Sequence, residues 1–220
     1  VRVLAVDTTT ANGSVALAEG GAIVGEVRLG GQETHSRTLL PAIEFLLASM
    51  GLAARDVDAW AVASGPGSFT GLRVGISTIQ GLALASGRPC IGISALDALA
   101  ARVAGAAERI AALIDAFRGE LYVRLYDSAA SPLEAARVEL PAALLARVGP
   151  GTAFAGDGAR AHRAEIEAAC ADAVFPPGSP FLAGAVARLA IAGLGEGRGV
   201  APEALRPLYL REAEIRKATR

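Results

Sequence analysis

Lysine is almost missing from this chain: Lys217 stands alone against 20 arginines. No lysine is therefore placed for a Schiff base or a phosphate-binding P-loop, except one in the C-terminal stretch. Histidine is nearly as scarce. His35 and His162 are isolated, with no second His, Cys or carboxylate at ligand spacing, so no metal centre is expected. Two cysteines far apart, Cys90 and Cys170, fit reduced thiols better than a disulfide framework. The net charge of -1 lacks the basic footprint of an autonomous nucleic-acid binder. No run approaches the ~18 uninterrupted apolar residues of a spanning helix. The charge-free stretch Val74–Gly87 is broken by three Gly, two Ser, a Thr and a Gln. No charged segment leads into an apolar one at the start, so a signal peptide is not expected and the expected location is cytoplasmic. Neither G-x-S-x-G nor H-E-x-x-H occurs, so these hydrolase motifs are absent.

What is present is mostly small and apolar. Hydrophobic residues make up 52% of 220, and 49 of the residues are alanine. That length allows one large domain or two small ones. Val1–Asp7 reads as a buried strand ending in an acid, and Thr8–Gly13 as a turn. Ser14–Ala18 and Ala22–Leu29 read as two further strands. A helix over Ser36–Met50, a strand over Val57–Ala63, a Gly-Pro loop to Thr70 and a helix over Gly71–Ser86 follow. Pro89–Ile93 is a strand and Leu96–Ala104 a linking helix. The pattern then restarts: Ile110–Asp115 is again an apolar strand ending in Asp, with a second strand over Glu120–Tyr126. Thr152–Ala155 is a strand ending in Gly156-Asp157-Gly158, with helices near 159–171 and 181–192. Two copies of a meander plus α/β unit predict a duplicated ribonuclease-H-like fold, with the second copy reduced. The boundary is set near residue 104, giving units of 1–104 and 105–220. Charge changes there too: 14 charged side chains precede residue 101 and 29 follow residue 100.

Three features could carry chemistry. Asp7 with Thr8, Thr9 and Thr10 sits at a strand end, where an actin-like phosphotransferase cradles phosphates and holds magnesium through water. The same residues also make an ordinary capped hairpin turn. The matching turn after Asp115 offers Ala116-Phe117-Arg118, with no hydroxyl and a bulky ring where phosphates need room. The Gly65–Gly75 run follows a strand and opens a helix, as an anion-binding nest does. It has neither the dinucleotide spacing nor a following lysine, and its glycines suit close packing equally well.

The two helices of the first unit speak most clearly. On the first, Leu39, Ile43, Leu46 and Met50 share a face. Thr38, Ala42, Phe45 and Ser49 make a second uncharged one, leaving Arg37 and Glu44 a narrow charged stripe. On the second, Leu72, Ile76, Ile79 and Ala83 share a face, and Arg73 is the only charge in 16 residues. A surface helix keeps a broad polar side. Both helices here are expected to be covered twice, by the sheet and by a partner. The expected interface residues are Leu39, Ile43, Leu46, Leu72, Ile76 and Ile79.

Val3–Thr9, the His35–Pro41 helix start, Gly65-Pro-Gly-Ser-Phe-Thr-Gly-Leu-Arg-Val-Gly75 and Pro207-Leu-Tyr-Leu-Arg211 resemble the bacterial TsaB family. The resemblance runs end to end and is densest in residues 1–100. It implies an actin-like (ASKHA) α/β fold of two subdomains and a non-catalytic, homodimer-forming subunit. It implies work with the paralogue TsaD and the ATPase TsaE. Together they would transfer threonylcarbamoyl from its adenylate to N6 of the adenosine 3′ of the anticodon in tRNAs reading ANN codons. ATP and metal would belong to those partners, tRNA would be met only through the complex, and no membrane is implied. Two departures stand out. TsaD-like proteins carry two metal-binding His on the first helix, where only His35 is near, and Arg37 stands where the TsaB pattern has an acid. The alternatives are a small actin-like ATP-dependent phosphotransferase built on Asp7–Thr10, a protease, for which no nucleophile–base pair is seen, and RNA binding through Arg206, Arg211, Arg216, Lys217 and Arg220. Glu203, Glu212 and Glu214 interrupt that last patch.

Overall fold

The computed structural model describes residues 1–30 and 33–210; of the tail residues named above, Arg211, Glu212, Glu214, Arg216, Lys217 and Arg220 lie outside the described residues. Two sheets carry the fold. The first joins β1 (Arg2–Asp7), β2 (Gly13–Glu19), β3 (Ala22–Leu29), β4 (Ala59–Gly65) and β5 (Cys90–Ser94) in the order β3-β2-β1-β4-β5. Its meander is antiparallel, while β4 and β5 run parallel to β1. The second sheet has β6 (Arg109–Asp115), β7 (Leu121–Asp127), β8 (Arg137–Glu139) and β9 (Thr152–Ala155) in the order β8-β7-β6-β9. The same topology is repeated with the fifth strand gone. The chain therefore has the duplicated, actin-like α/β architecture, its second copy reduced.

Alternation within each strand sorts side chains between two layers. Leu4, Val6, Trp60 and Val62 point to one face of the first sheet. There α1 (His35–Ser49) and α2 (Phe69–Ser86) cover them with Leu39, Ile43, Leu46, Ile76 and Ile79. Val3, Ala5, Ala59, Ala61 and Ala63 point to the other face. Between the two sheets lie α3 (Ala95–Arg102) and α7 (Ala183–Gly195): α7 packs on the first sheet and on α3, α3 packs on strands of both sheets, and Ala98, Ala100, Ala187 and Ala190 are buried in the core they share. Alanine on strand and helix alike lets backbones approach closely, which accounts for much of the composition. The outer face of the second sheet is closed by α4 (Pro141–Leu145), α5 (Asp157–Ala161) and α6 (Arg163–Ala169) through Leu144, Ala159 and Ile166.

The division near residue 104 falls between the sheets, but the helices do not respect it. Helix α7 comes from the second half of the chain and packs along the strands of the first sheet, while α3 reaches over β6. Ser14 Oγ accepts the Ala183 amide at 3.1 Å and so fixes where α7 begins. The helical stretch expected over 159–171 is two short helices, parted at His162. Strand β8 and helix α4 had no counterpart in the sequence reading; both are short, and β8 is an edge strand.

Because α7 covers one whole face of the first sheet, residues 1–104 alone should not fold. The isolated fragment is expected to show no cooperative thermal transition by circular dichroism, whereas the whole chain shows one.

Candidate functional site

The turn after β1 is held entirely by its own neighbours. Asp7 is fully buried. Its Oδ1 accepts the Thr9 amide at 2.9 Å and the Thr9 hydroxyl at 2.7 Å. Its Oδ2 has no hydrogen-bond partner among the described residues. Burial pushes the Asp7 carboxyl above the usual carboxylate range, opposed by the Thr9 hydrogen bonds and by the charge of His35. Thr8 donates its hydroxyl to the Gly71 carbonyl at 2.8 Å. The Thr9 carbonyl accepts the Ser68 amide at 2.7 Å. His35 Nε2 sits 2.8 Å from the Thr10 carbonyl, and its ring lies where a Cβ on Gly13 would be, 2.7 Å away.

The glycine run is what brings α2 this close. A Cβ on Gly67 would stand 2.4 Å from the Thr9 carbonyl oxygen, and one on Gly71 only 2.0 Å from that of Thr8. One on Gly75 would lie 2.4 Å from the Thr8 hydroxyl. Of the two readings of this run, the close-packing one describes it: the loop seats α2 on the turn. Ser68 caps the helix by accepting the Gly71 amide at 3.2 Å, and Gly87, in the left-handed region, ends it.

The second copy of the turn is built differently. Asp115 Oδ1 accepts the Phe117 amide at 2.8 Å, and Phe117 and Arg118 both adopt positive φ, 60° and 57°. The Phe117 ring is exposed. Asp157 accepts the Asp115 amide at 3.2 Å and the Gly158 amide at 2.9 Å, and burial raises its carboxyl as well. A cavity of about 390 Å³ opens between the sheets, bordered by Thr10, Asn12, Arg102, Asp157 and Arg160. A second, of about 440 Å³, lies among Ser68, Phe69, Phe117, Tyr122 and Tyr209.

An actin-like fold implies a magnesium nucleotide held between the two turns. The residues present do not fit one. All but one of the polar atoms that hold the first turn are spent on itself, α2 and His35, Asp7 Oδ2 being the exception, and the second turn has Phe117 and Arg118 at positive φ in place of hydroxyl side chains. No chemical step through a nucleotide is derived from this geometry. Among the described residues no cluster of His, Cys, Asp or Glu is arranged to hold a metal. His162 pairs with Glu165 and His35 with a backbone carbonyl, so neither activates a hydroxyl or thiol. No helix among the described residues is long and apolar enough to cross a membrane.

The six interface residues require a correction. Leu39, Ile43, Leu46, Leu72, Ile76 and Ile79 are all buried within this chain, because they are the sides of α1 and α2 that meet the sheet. The outward sides carry Leu40 (45% exposed), Phe45 (65%), Phe69 (46%) and Leu84 (73%). The periodicity shows two uncharged faces; it does not say which one the sheet takes. Arg37, at the departure from the family pattern, is exposed and pairs with Glu33 at 3.3 Å.

Residues 23–152 match the family described as TsaD: tRNA N6-adenosine threonylcarbamoyltransferase. A stretch of 124 residues, 56% of this chain, is 42% identical to the tRNA threonylcarbamoyladenosine biosynthesis protein TsaB of Escherichia coli (strain K12), covering 53% of it. The chain thus spans about half the length of the curated relatives it matches. Two structures from Pseudomonas aeruginosa align along nearly the whole chain. One is an uncharacterized protein with similarity to peptidase YEAZ, at TM-score 0.81 and 33% identity, covering 96% of this chain and 99% of that one. The other is YeaZ, at TM-score 0.78 and 32% identity, covering 95% and 99%.

Two expectations follow from the closed turn. Gly71→Ala should destabilise the fold by about 1–3 kcal/mol or more, read as a lower denaturant midpoint, because its Cβ meets backbone that must move. Asp7→Asn should separate from the parent with pH. A carboxyl raised by burial keeps its proton in the folded state after the unfolded chain has lost it, so stability falls as pH climbs past the ordinary Asp value of about 3.9. Denaturation across pH should therefore find the Asn variant the more stable of the two at pH 7, with the advantage shrinking on acidification.

Proposed function

The chain belongs to the TsaB/YeaZ family, and from that premise we propose that it is a non-catalytic subunit in tRNA threonylcarbamoyladenosine biosynthesis. Its outer α1–α2 face docks on a TsaD-type paralogue, or on its own copy when alone. The paralogue transfers threonylcarbamoyl from threonylcarbamoyl-AMP to N6 of the adenosine 3′ of the anticodon in tRNAs reading ANN codons. A TsaE-type ATPase completes the assembly. ATP and metal are held by those partners, tRNA is met through the complex, and the setting is the cytoplasm.

The observation that carries this reading is the outward apolar face. Leu40 and Phe45 on α1, with Phe69 and Leu84 on α2, lie exposed on helices whose other sides are already buried in the sheet. Large apolar side chains left exposed on helices whose other sides are buried mark a partner surface. The Asp7 turn supports the other half of the reading, since its Thr8 and Thr9 side chains are already engaged with Gly71 and Asp7 rather than free for a phosphate. The subunit acts by differential binding, holding the paralogue in the conformation it packs best against. That role asks for a rigid body, and helices wedged between two sheets supply one.

Reconstituted tRNA modification with TsaD, TsaE, the preformed adenylate and tRNA tests this directly. Modification is expected to need the chain. It should drop about tenfold or more with Phe45→Glu plus Leu84→Glu, together with loss of TsaD binding. Asp7→Asn should leave it unchanged. Undiminished modification without the chain, or ATP hydrolysis by the chain alone that Asp7→Asn abolishes, would overturn the reading in favour of a small phosphotransferase.

A further inference from the structure

The second turn carries strain that packing within this chain does not explain. Counted from Asp115, Phe117 and Arg118 stand where the first turn has Thr9 and Thr10, and both take the left-handed backbone, φ 60° and 57°. That conformation suits glycine and is unfavourable for a residue with a bulky ring. Burial does not compensate it, because Phe117 is 65% exposed. Strain of this kind is kept where the side chain it presents is used.

Phe117 is presented to the cavity of about 440 Å³. Phe117 and Tyr122 border it from the second unit, Phe69 from the start of α2, and Tyr209 from the segment that closes the described chain. The Phe69 and Tyr209 rings pack together with centroids 5.6 Å apart, and the Leu208 amide pins that segment to the end of β4 by donating to the Ser64 carbonyl at 2.7 Å. Three segments far apart in sequence thus set aromatic rings around one opening. Its charge is positive. Arg118 is the only charged residue lining the cavity, and the Arg73 guanidinium lies 3.9 Å from the centroid of the Phe69 ring. Asp115 and Glu120 belong to the same turn but do not line the cavity. The ten residues that follow Leu210 in the sequence carry four cations and two acids.

A flat ring joined to an anion satisfies both features. A cationic ligand is opposed by Arg118, and a plain apolar side chain makes no use of the arginines. We infer that the cavity takes an unpaired base of an RNA strand, stacked on Phe117 and on the Phe69–Tyr209 pair, with Arg73 and Arg118 toward the neighbouring phosphates. A strand is favoured over a free nucleotide because the adjoining glycine loop has no cradle for a polyphosphate. Its Ser68 and Gly71 amides already donate to the Thr9 carbonyl and the Ser68 hydroxyl. Phe69 also belongs to the outward side of α2, so the strand lies beside the docked paralogue. That the strand comes from tRNA rests on the proposed function; the pocket itself does not.

Titration of the whole chain into a short unstructured RNA with 2-aminopurine at its centre, a base whose fluorescence falls on stacking, tests the inference. Saturable quenching with a Kd of about 0.1 mM at low salt is expected, since one base and two cations make the contact. Phe117→Asn should keep or raise the melting temperature, asparagine tolerating the left-handed region, yet weaken RNA binding about tenfold. Phe117→Tyr should retain binding. Arg73→Gln should lower the slope of log affinity against log salt by about 0.7. In reconstituted modification, Phe117→Asn should raise the KM for tRNA and leave paralogue binding intact, unlike Phe45→Glu plus Leu84→Glu. No quenching by the parent chain, or equal quenching by Phe117→Asn, would overturn the inference. AMP binding as tightly as the strand would replace it with a free-nucleotide site. Lost paralogue binding in Phe117→Asn with RNA binding unchanged would replace it with a protein contact. If quenching behaves as stated but tRNA modification does not need the chain, the functional reading alone fails.

Discussion

Everything about the first half of this protein follows from how closely α2 is seated on the turn between β1 and β2. No side chain fits between them: Cβ atoms at Gly67, Gly71 and Gly75 would all stand within 2.4 Å of Thr8 or Thr9. That single contact has two consequences. It engages the Thr8 hydroxyl and the Thr9 carbonyl of a turn that, in a fold of this topology, would otherwise face a ligand. It also fixes the rotation of α2, sending Leu72, Ile76 and Ile79 to the sheet and Arg73, Gly81 and Leu84 to solvent. A loop that resembles a phosphate cradle in its glycine content thus works as a hinge pin, and the surface it creates faces away from the cleft.

The two copies of the fold are held together by exchange rather than by contact of finished surfaces. Helices α3 and α7 lie between the sheets and belong to both cores. Small residues make this possible: an interior of alanine permits sheet–helix–sheet packing without the bulk that would drive the layers apart. Tyr126 is the largest buried side chain in this layer, and its hydroxyl donates to Asp97 at 2.6 Å. A body assembled in this manner has few ways to open. That suits a subunit whose contribution is to present a fixed face to another protein.

Much of this was legible beforehand because the strands and helices are strongly patterned. The meander, the Asp-ended strands and the repeat some hundred residues on gave the duplicated architecture, and the two uncharged faces of α1 and α2 pointed to a second covering. The role of the glycines was legible only as a pair of alternatives, since spacing alone cannot distinguish a nest from a seat. The placement of α7 had a signal that went unused. Its sequence is apolar nearly all round, with Arg188 the only charge in Ala183–Gly195, which is the mark of a largely buried helix; Arg188, Ala192 and Gly195 alone are exposed along it.

The sequence by itself determined the layers, through the period of two in the strands and of 3.6 in the helices, and the silence of the second turn, through Phe117 and Arg118. Only the tertiary structure decided which side of α1 and α2 is outward and that a helix from the second half completes the first sheet. It also decided that the Asp7 turn closes on itself. The reason is the same in each case: periodicity is a local property, whereas the partner that fills a face is chosen by contacts between residues far apart in the chain.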